Sequence, residues 1–167
     1  PNATALQQNS ALGRLKVTNT LGDIDGDGDF DALYTFGTRS FSIWNGTTGQ
    51  LVFDCGNKLE SYLLATRPDL YDDGRSDDKG VEPESVTTAR YGKYTIAFIG
   101  LERSDAVVVV DVTKPTSPQF IQVLETGDAP EGLLFIPAHE SPNGKSTLVV
   151  CSEGDGVVKV YQAAGNI

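Results

Sequence analysis

The sequence has no methionine, one histidine (His139), one tryptophan (Trp44) and two cysteines among 167 residues. A single histidine excludes a multi-histidine metal centre and leaves a Ser-His-Asp triad only His139 to be built on. Cys55 and Cys151 stand 96 residues apart, so there is no C-x-x-C redox or zinc motif. Basic residues are also scarce: 13 Lys and Arg against 23 Asp and Glu give a net charge of −10. That acidity argues against a nucleic-acid partner, because phosphate binding needs a basic surface. No apolar run approaches the roughly 20 residues of a membrane-spanning helix, and no signal-like apolar segment opens the chain. With no Met even at position 1, the chain reads as a mature, processed or partial product.

Turn-forming residues, by contrast, are abundant. Eighteen Gly and eight Pro punctuate the chain, leaving little room for long 3.6-period apolar patterns. Short β-rich runs recur instead at 14–18, 32–36, 41–44, 50–53, 94–99, 106–112, 119–124, 147–151 and 157–161. Asn45-Gly46-Thr47-Thr48-Gly49 predicts a hairpin loop. Only Leu59–Thr66 predicts a helix, ended by Arg67-Pro68.

The second half repeats itself. Glu82-Pro83-Glu84-Ser85-Val86 matches Ala129-Pro130-Glu131-Gly132-Leu133 at a spacing of 47, and Phe98–Val110 matches Leu148–Val160 at an offset of 50. Each unit opens at Pro-Glu and then runs strand, turn, strand, Asp-containing turn, strand. A four-stranded unit of about 40–50 residues is the signature of a β-propeller blade. The sequence therefore predicts an all-β fold, a partial β-propeller of about three four-stranded blades. They lie at 13–54, 82–125 and 129–162 within one domain, 1–167, with an acidic connection at 55–81. Known propellers close with about four to eight blades, so the remainder of a processed precursor, or another chain, is expected to complete the ring.

The acids are clustered: five fall in 23–31 and seven more in 69–84. In the first cluster, Asp23-Ile24-Asp25-Gly26-Asp27-Gly28-Asp29-Phe30-Asp31, carboxylates alternate along a glycine-rich turn. A hard cation such as Ca²⁺ takes six to eight oxygens. Asp23, Asp25, Asp27 and Asp31 can point inward together, Asp29 offers its backbone carbonyl, and Gly28 permits the turn. Position 12 of an EF-hand loop is here Tyr34, not Glu, and a β-rich run follows instead of a helix. The pattern predicts one structural Ca²⁺. A second cation site could be drawn from Asp72, Asp73, Asp77 and Asp78, or from the repeat-equivalent Glu84 and Glu131. Arg75 and Lys79 are equally able to neutralise the first group, and backbone N–H groups the second.

The Asp loop resembles the calcium loops of FG-GAP and integrin-type propeller repeats, over Gly22 to Ala32. A wider resemblance rests on Tyr71–Ser85, Ala97–Ser104, Pro130–Pro137 and Ser141–Lys145, which are similar to the C-terminal part of the choice-of-anchor I domain. That family includes mesenchyme-specific cell-surface glycoproteins linked to biomineral matrices and bacterial secreted relatives. The resemblance implies an extracellular β-propeller larger than this chain, and it carries over no catalytic residue.

Smaller signals remain. Asn2-Ala3-Thr4 and Asn45-Gly46-Thr47 are N-glycosylation sequons, so a glycan is expected at Asn2 or Asn45. Gly144-Lys145-Ser146 ends like a P-loop, but His139 occupies the place of the first glycine, which leaves a hairpin turn. In an extracellular chain Cys55 and Cys151 could pair with each other, stay thiols, or bond to other segments. The composite reading is a secreted or cell-surface, calcium-binding propeller with a structural, matrix or binding role. Its rivals are a Ca²⁺-dependent phosphoesterase and an integrin-like adhesion module.

Overall fold

The computed structural model describes residues 2–164; Pro1 and 165–167, the extremities of the 1–167 domain span, lie outside them. Its regular structure is mostly strand, in three antiparallel sheets of two, four and three strands. The first pairs β1 (Ser42–Trp44) with β2 (Leu51–Asp54). The second runs in the order β3 (Pro83–Tyr91), β4 (Tyr94–Leu101), β5 (Ala106–Asp111), β6 (Gln119–Glu125). The third holds β7 (Pro130–Ile136), β8 (Thr147–Ser152) and β9 (Val158–Gln162). Two helices stand apart: a short α1 (Ala3–Leu6), capped by Asn2, and α2 (Lys58–Thr66). Consecutive strands joined as meanders and stacked sheet against sheet give the partial, propeller-like array predicted from the repeats. No helix among the described residues is long and apolar enough to cross a membrane.

The central strands of the four-stranded sheet, β4 and β5, are buried on both faces, which explains their sequence. Successive side chains of a strand point to opposite faces. Ile99, Val108 and Val110 pack with Cys55, Leu59, Leu63 and Val81, beneath α2 and the β1–β2 hairpin. Phe98, Val107 and Val109 pack with Leu148 and Val150, against the β7–β9 sheet. A strand covered on both sides has no polar face, hence the unbroken Val107–Val110 run.

The opening of each unit repeats in its backbone. Both Pro-Glu openings carry a β-bulge, between Pro83 and Ser85 and between Pro130 and Gly132. The preceding residues, Glu82 and Ala129, have φ of 50° and 57°. The carbonyls of these two residues accept hydrogen bonds from Glu102 N and Glu153 N, each at 2.9 Å. Pairing Pro83 with Leu101 and Pro130 with Ser152 makes the strand offset 51, one more than the sequence match suggested.

The 13–54 blade differs from its prediction. Instead of four strands it has the β1–β2 hairpin and one isolated bridge, Val17 to Thr35. The apolar residues of 32–36 that suggested a strand are largely exposed, Leu33 at 59% and Phe36 at 45%. Without a sheet to cover them they gain little from extension. The 55–81 connection carries the helix expected at Leu59–Thr66, as α2, and adds two short 3₁₀ turns, Pro68–Leu70 and Asp73–Arg75. The hairpin at Asn45–Gly49 forms as expected, closed by Asn45 N donating to the Gln50 carbonyl at 2.8 Å.

Candidate functional site

The Asp23–Asp31 segment is an exposed loop with a closed base. Thr18 N donates to the Tyr34 carbonyl at 3.0 Å beside the Val17–Thr35 bridge. Nearer the loop, Gly22 O accepts from Asp31 N (2.9 Å) and Ala32 N (3.2 Å). Gly22 is needed there: its φ is +113°, and a Cβ would lie 2.4 Å from the Ala32 carbonyl oxygen. Gly22→Ala is therefore expected to spring this neck. Hydrogen exchange at the Asp31 and Ala32 amides should accelerate about tenfold or more, with the rest of the chain unchanged.

Inside the loop the backbone turns on Gly26 and Gly28, at φ of 81° and 99°. Asp23 accepts from Gly26 N (2.7 Å) and Gly28 N (3.2 Å), Asp25 from Asp27 N (3.2 Å), and Asp27 from Asp29 N (3.1 Å). These bonds curl the chain so that one carboxylate oxygen each from Asp23, Asp25 and Asp27 lies within 4.8 Å of the others. The Asp29 and Asp31 side chains stand outside that group; Asp31 Oδ2 instead accepts from Ile24 N at 2.9 Å. Among the described residues no Lys, Arg or His forms an ion pair with any of the five.

The second acidic region is divided differently from the sequence-level expectation. Asp72, Asp73, Asp77 and Asp78 do not form a carboxylate group. Asp72 caps the second 3₁₀ turn, through Gly74 N at 2.8 Å. Asp73 pairs with Arg14 at 3.7 Å and Asp78 with Lys16 at 3.0 Å, while Asp77 O accepts from Lys16 N. These contacts tie the N-terminal segment to the connection, so Arg14 and Lys16 do the neutralising; of the expected pair, Arg75 reaches only Asp78, at 4.0 Å, and both Arg75 and Lys79 are engaged by Glu82. Glu84 and Glu131, the two bulge residues, do join carboxylate groups: Glu82–Glu84–Glu102 and Glu102–Glu131–Glu153. Glu102 belongs to both, so it sits where the second and third sheets meet. Glu82, Glu102 and Glu153 escaped the sequence reading. The signal was present, since Glu102 and Glu153 each follow the second strand of a unit, 51 residues apart.

Charge is balanced on one side of this cluster only. Glu82, 3% exposed, is gripped by Arg75 and by Lys79 Nζ at 2.6 Å. Burial alone pushes its carboxyl up, but the bonds from Lys79 and Arg75 outweigh that and hold it down at about 2. For Glu102 the balance reverses: burial raises its pKa, Glu84 adds to the rise, and Arg103, 2.7 Å away, only partly opposes it.

The remaining candidates are quickly placed. His139 is exposed, with its Nε2 3.3 Å from Glu140 Oε1. Cys55 is a buried thiol whose pKa burial raises, and Phe41 N donates to its sulfur at 3.2 Å; Cys151 is exposed, and both are free. Asn2 and Asn45 are both exposed; Asn45 Oδ1 accepts from Thr47 N and Thr48 N at the hairpin tip.

Comparison with known proteins agrees with the family resemblance of the sequence. A model of the choice-of-anchor I domain matches residues 1–115, which include Tyr71–Ser85 and Ala97–Ser104. Gigasin-3a of Magallana gigas is 28% identical over 193 aligned residues, covering 96% of this chain and 68% of that protein. No solved structure matches the chain. With the family model spanning well over half of its length, the chain belongs to the choice-of-anchor I domain family.

Proposed function

We propose that this is an extracellular, calcium-stabilised β-sheet protein with a structural or binding role, and that Asp23–Asp31 holds its Ca²⁺. One observation carries the reading: three aspartates are drawn to within 4.8 Å of one another in a loop that supplies no counter-cation. Such repulsion favours a bound cation, and an all-oxygen donor set favours a hard one. Asp23, Asp25 and Asp27 are the ligands the loop already gathers; Asp31 and the Asp29 carbonyl are those it would add. Family membership and the likeness to Gigasin-3a support a secreted or cell-surface setting.

The ion's structural role is tested by limited digestion with an endoprotease that cuts before Asp. Millimolar Ca²⁺ should suppress cleavage within 23–31, and equal Mg²⁺ should not, because Mg²⁺ demands tighter octahedral geometry. Equal cleavage in both ions counts against the reading. Turnover of a chromogenic phosphate ester that depends on Ca²⁺ would instead favour the phosphoesterase.

Asn45 should carry a glycan when the chain passes through a eukaryotic secretory pathway, since the sequon sits at an exposed hairpin tip. Intact-mass measurement should show the added mass, and Thr47→Ala should remove it. An unmodified Asn45 peptide at full occupancy contradicts this.

A further inference from the structure

A second acid-rich hollow lies apart from the Asp23–Asp31 loop. It is a cleft of about 440 Å³, bounded by 69–72 of the connection, by the Glu102–Ser104 turn that leaves β4, and by Asp128 just before β7. Asp69, Asp72, Glu102, Asp105 and Asp128 line it, against one basic lining residue, Arg103. Two of these acids are engaged: Asp69 pairs with Arg67 at 2.7 Å, and Glu102 with Arg103 at 2.7 Å. Asp72, Asp105 and Asp128 form no ion pair among the described residues.

An unpaired hydroxyl belongs to the same cleft. Ser104 lines it, is 3% exposed, and its Oγ has no hydrogen-bond partner among the described residues. A buried hydroxyl left in that state costs free energy unless something from outside the chain pairs with it. The lining acids are too dispersed to cage a single ion. The carboxylate groups that converge within 4.8 Å leave out Asp69, Asp72, Asp105 and Asp128. Leu70 and Tyr71 add an apolar wall among the charges.

We propose that this cleft binds a primary alkylammonium group, its head donating to Ser104 Oγ and Glu102 and its methylene stem lying on Leu70 and Tyr71. An ammonium offers three donors and no acceptor, which suits a free hydroxyl beside carboxylates. Asp72, Asp105 and Asp128 supply the negative field around it. An alkylammonium buries its stem while its head keeps polar partners. A guanidinium fits less well: its planar fork seeks both oxygens of one carboxylate, and Asp69 and Glu102 already hold Arg67 and Arg103. A lysine side chain of a partner protein and a free diamine share the required chemistry. None of the calcium-loop aspartates takes part.

The test titrates the full chain with cadaverine and, separately, with N-acetyl-Gly-Lys-Gly-amide, followed by backbone amide shifts in NMR spectra. Salt at about 0.15 M screens distant charges. Saturable shifts confined to 69–72, 102–105 and 128 are expected, and the tighter probe tells a free diamine from a protein lysine. Ser104→Ala and Glu102→Gln should each weaken binding about tenfold. Ser104→Ala should nevertheless melt no lower than wild type, because it removes an unpaired buried hydroxyl; should it melt lower, Glu102→Gln decides. The proposal is overturned by the absence of saturable shifts, by shifts spread equally to Asp23–Asp31, or by binding indifferent to either substitution. Equal shifts at the cleft on adding Ca²⁺ alone also overturn it, because the cleft then takes a metal ion.

Discussion

Saturating Ca²⁺ is expected to raise the melting temperature of the chain by about 5–10 °C, and Asp27→Ala to remove most of that rise. A ligand that binds only the folded state stabilises it by about 2.7 kcal/mol at a hundredfold excess over Kd. For a domain of this size each kcal/mol is worth roughly 2–4 °C. Asp27 is the apt position: its carboxylate is one of the three that converge, and it also holds Asp29 N at 3.1 Å. Without the ion the variant should melt at or slightly above the wild-type temperature, because removing one of five clustered negative charges relieves repulsion. Paired melts with chelator and with Ca²⁺ measure both effects.

The second large effect belongs to Glu82. Its carboxyl is held at about 2, against an ordinary value of 4.5. A group whose pKa is depressed by folding contributes stability above its unfolded value and loses it as the pH falls through the folded one. The contribution is therefore complete above pH 4.5 and disappears toward pH 2, in total about 3 kcal/mol at 1.4 kcal/mol per pKa. Glu102 works the other way: its raised pKa means that protonation on acidification stabilises the fold, which offsets part of the loss. Urea denaturation across pH 2–7 should show a steep acid limb in wild type. Glu82→Gln should be less stable at pH 7 by about 3 kcal/mol and should have a shallower limb. In Glu102→Gln the limb should be steeper than in wild type.

The parts of the fold that sequence conveyed well are those whose determinants are local or repeated. The 106–112 run forms the strand its composition indicates, although its burial on both faces is a matter of which layers cover it, and the two Pro-Glu openings mark where each repeated unit begins. The 14–18 and 32–36 runs misled, because alternation indicates a strand only where another layer covers the apolar side, and here Leu33 and Tyr34 face solvent. The same distinction separates the sites. The convergence of Asp23, Asp25 and Asp27 was legible because they lie within five residues of one another, whereas Asp31, expected to join them, turns to Ile24 N instead. The Glu cluster was half visible: Glu84 and Glu131 stood out by repetition. Their convergence on Glu102 depends on two sheets meeting, which no local spacing encodes.

Calorimetric titration of Ca²⁺ into calcium-stripped protein tests the metal assignment most directly. Wild type should bind one Ca²⁺ at the Asp23–Asp31 loop, and a chain carrying Asp23→Ala, Asp25→Ala and Asp27→Ala together should give no binding heat while keeping its cooperative melt. Equal binding by the two proteins, or none by wild type, would contradict the assignment.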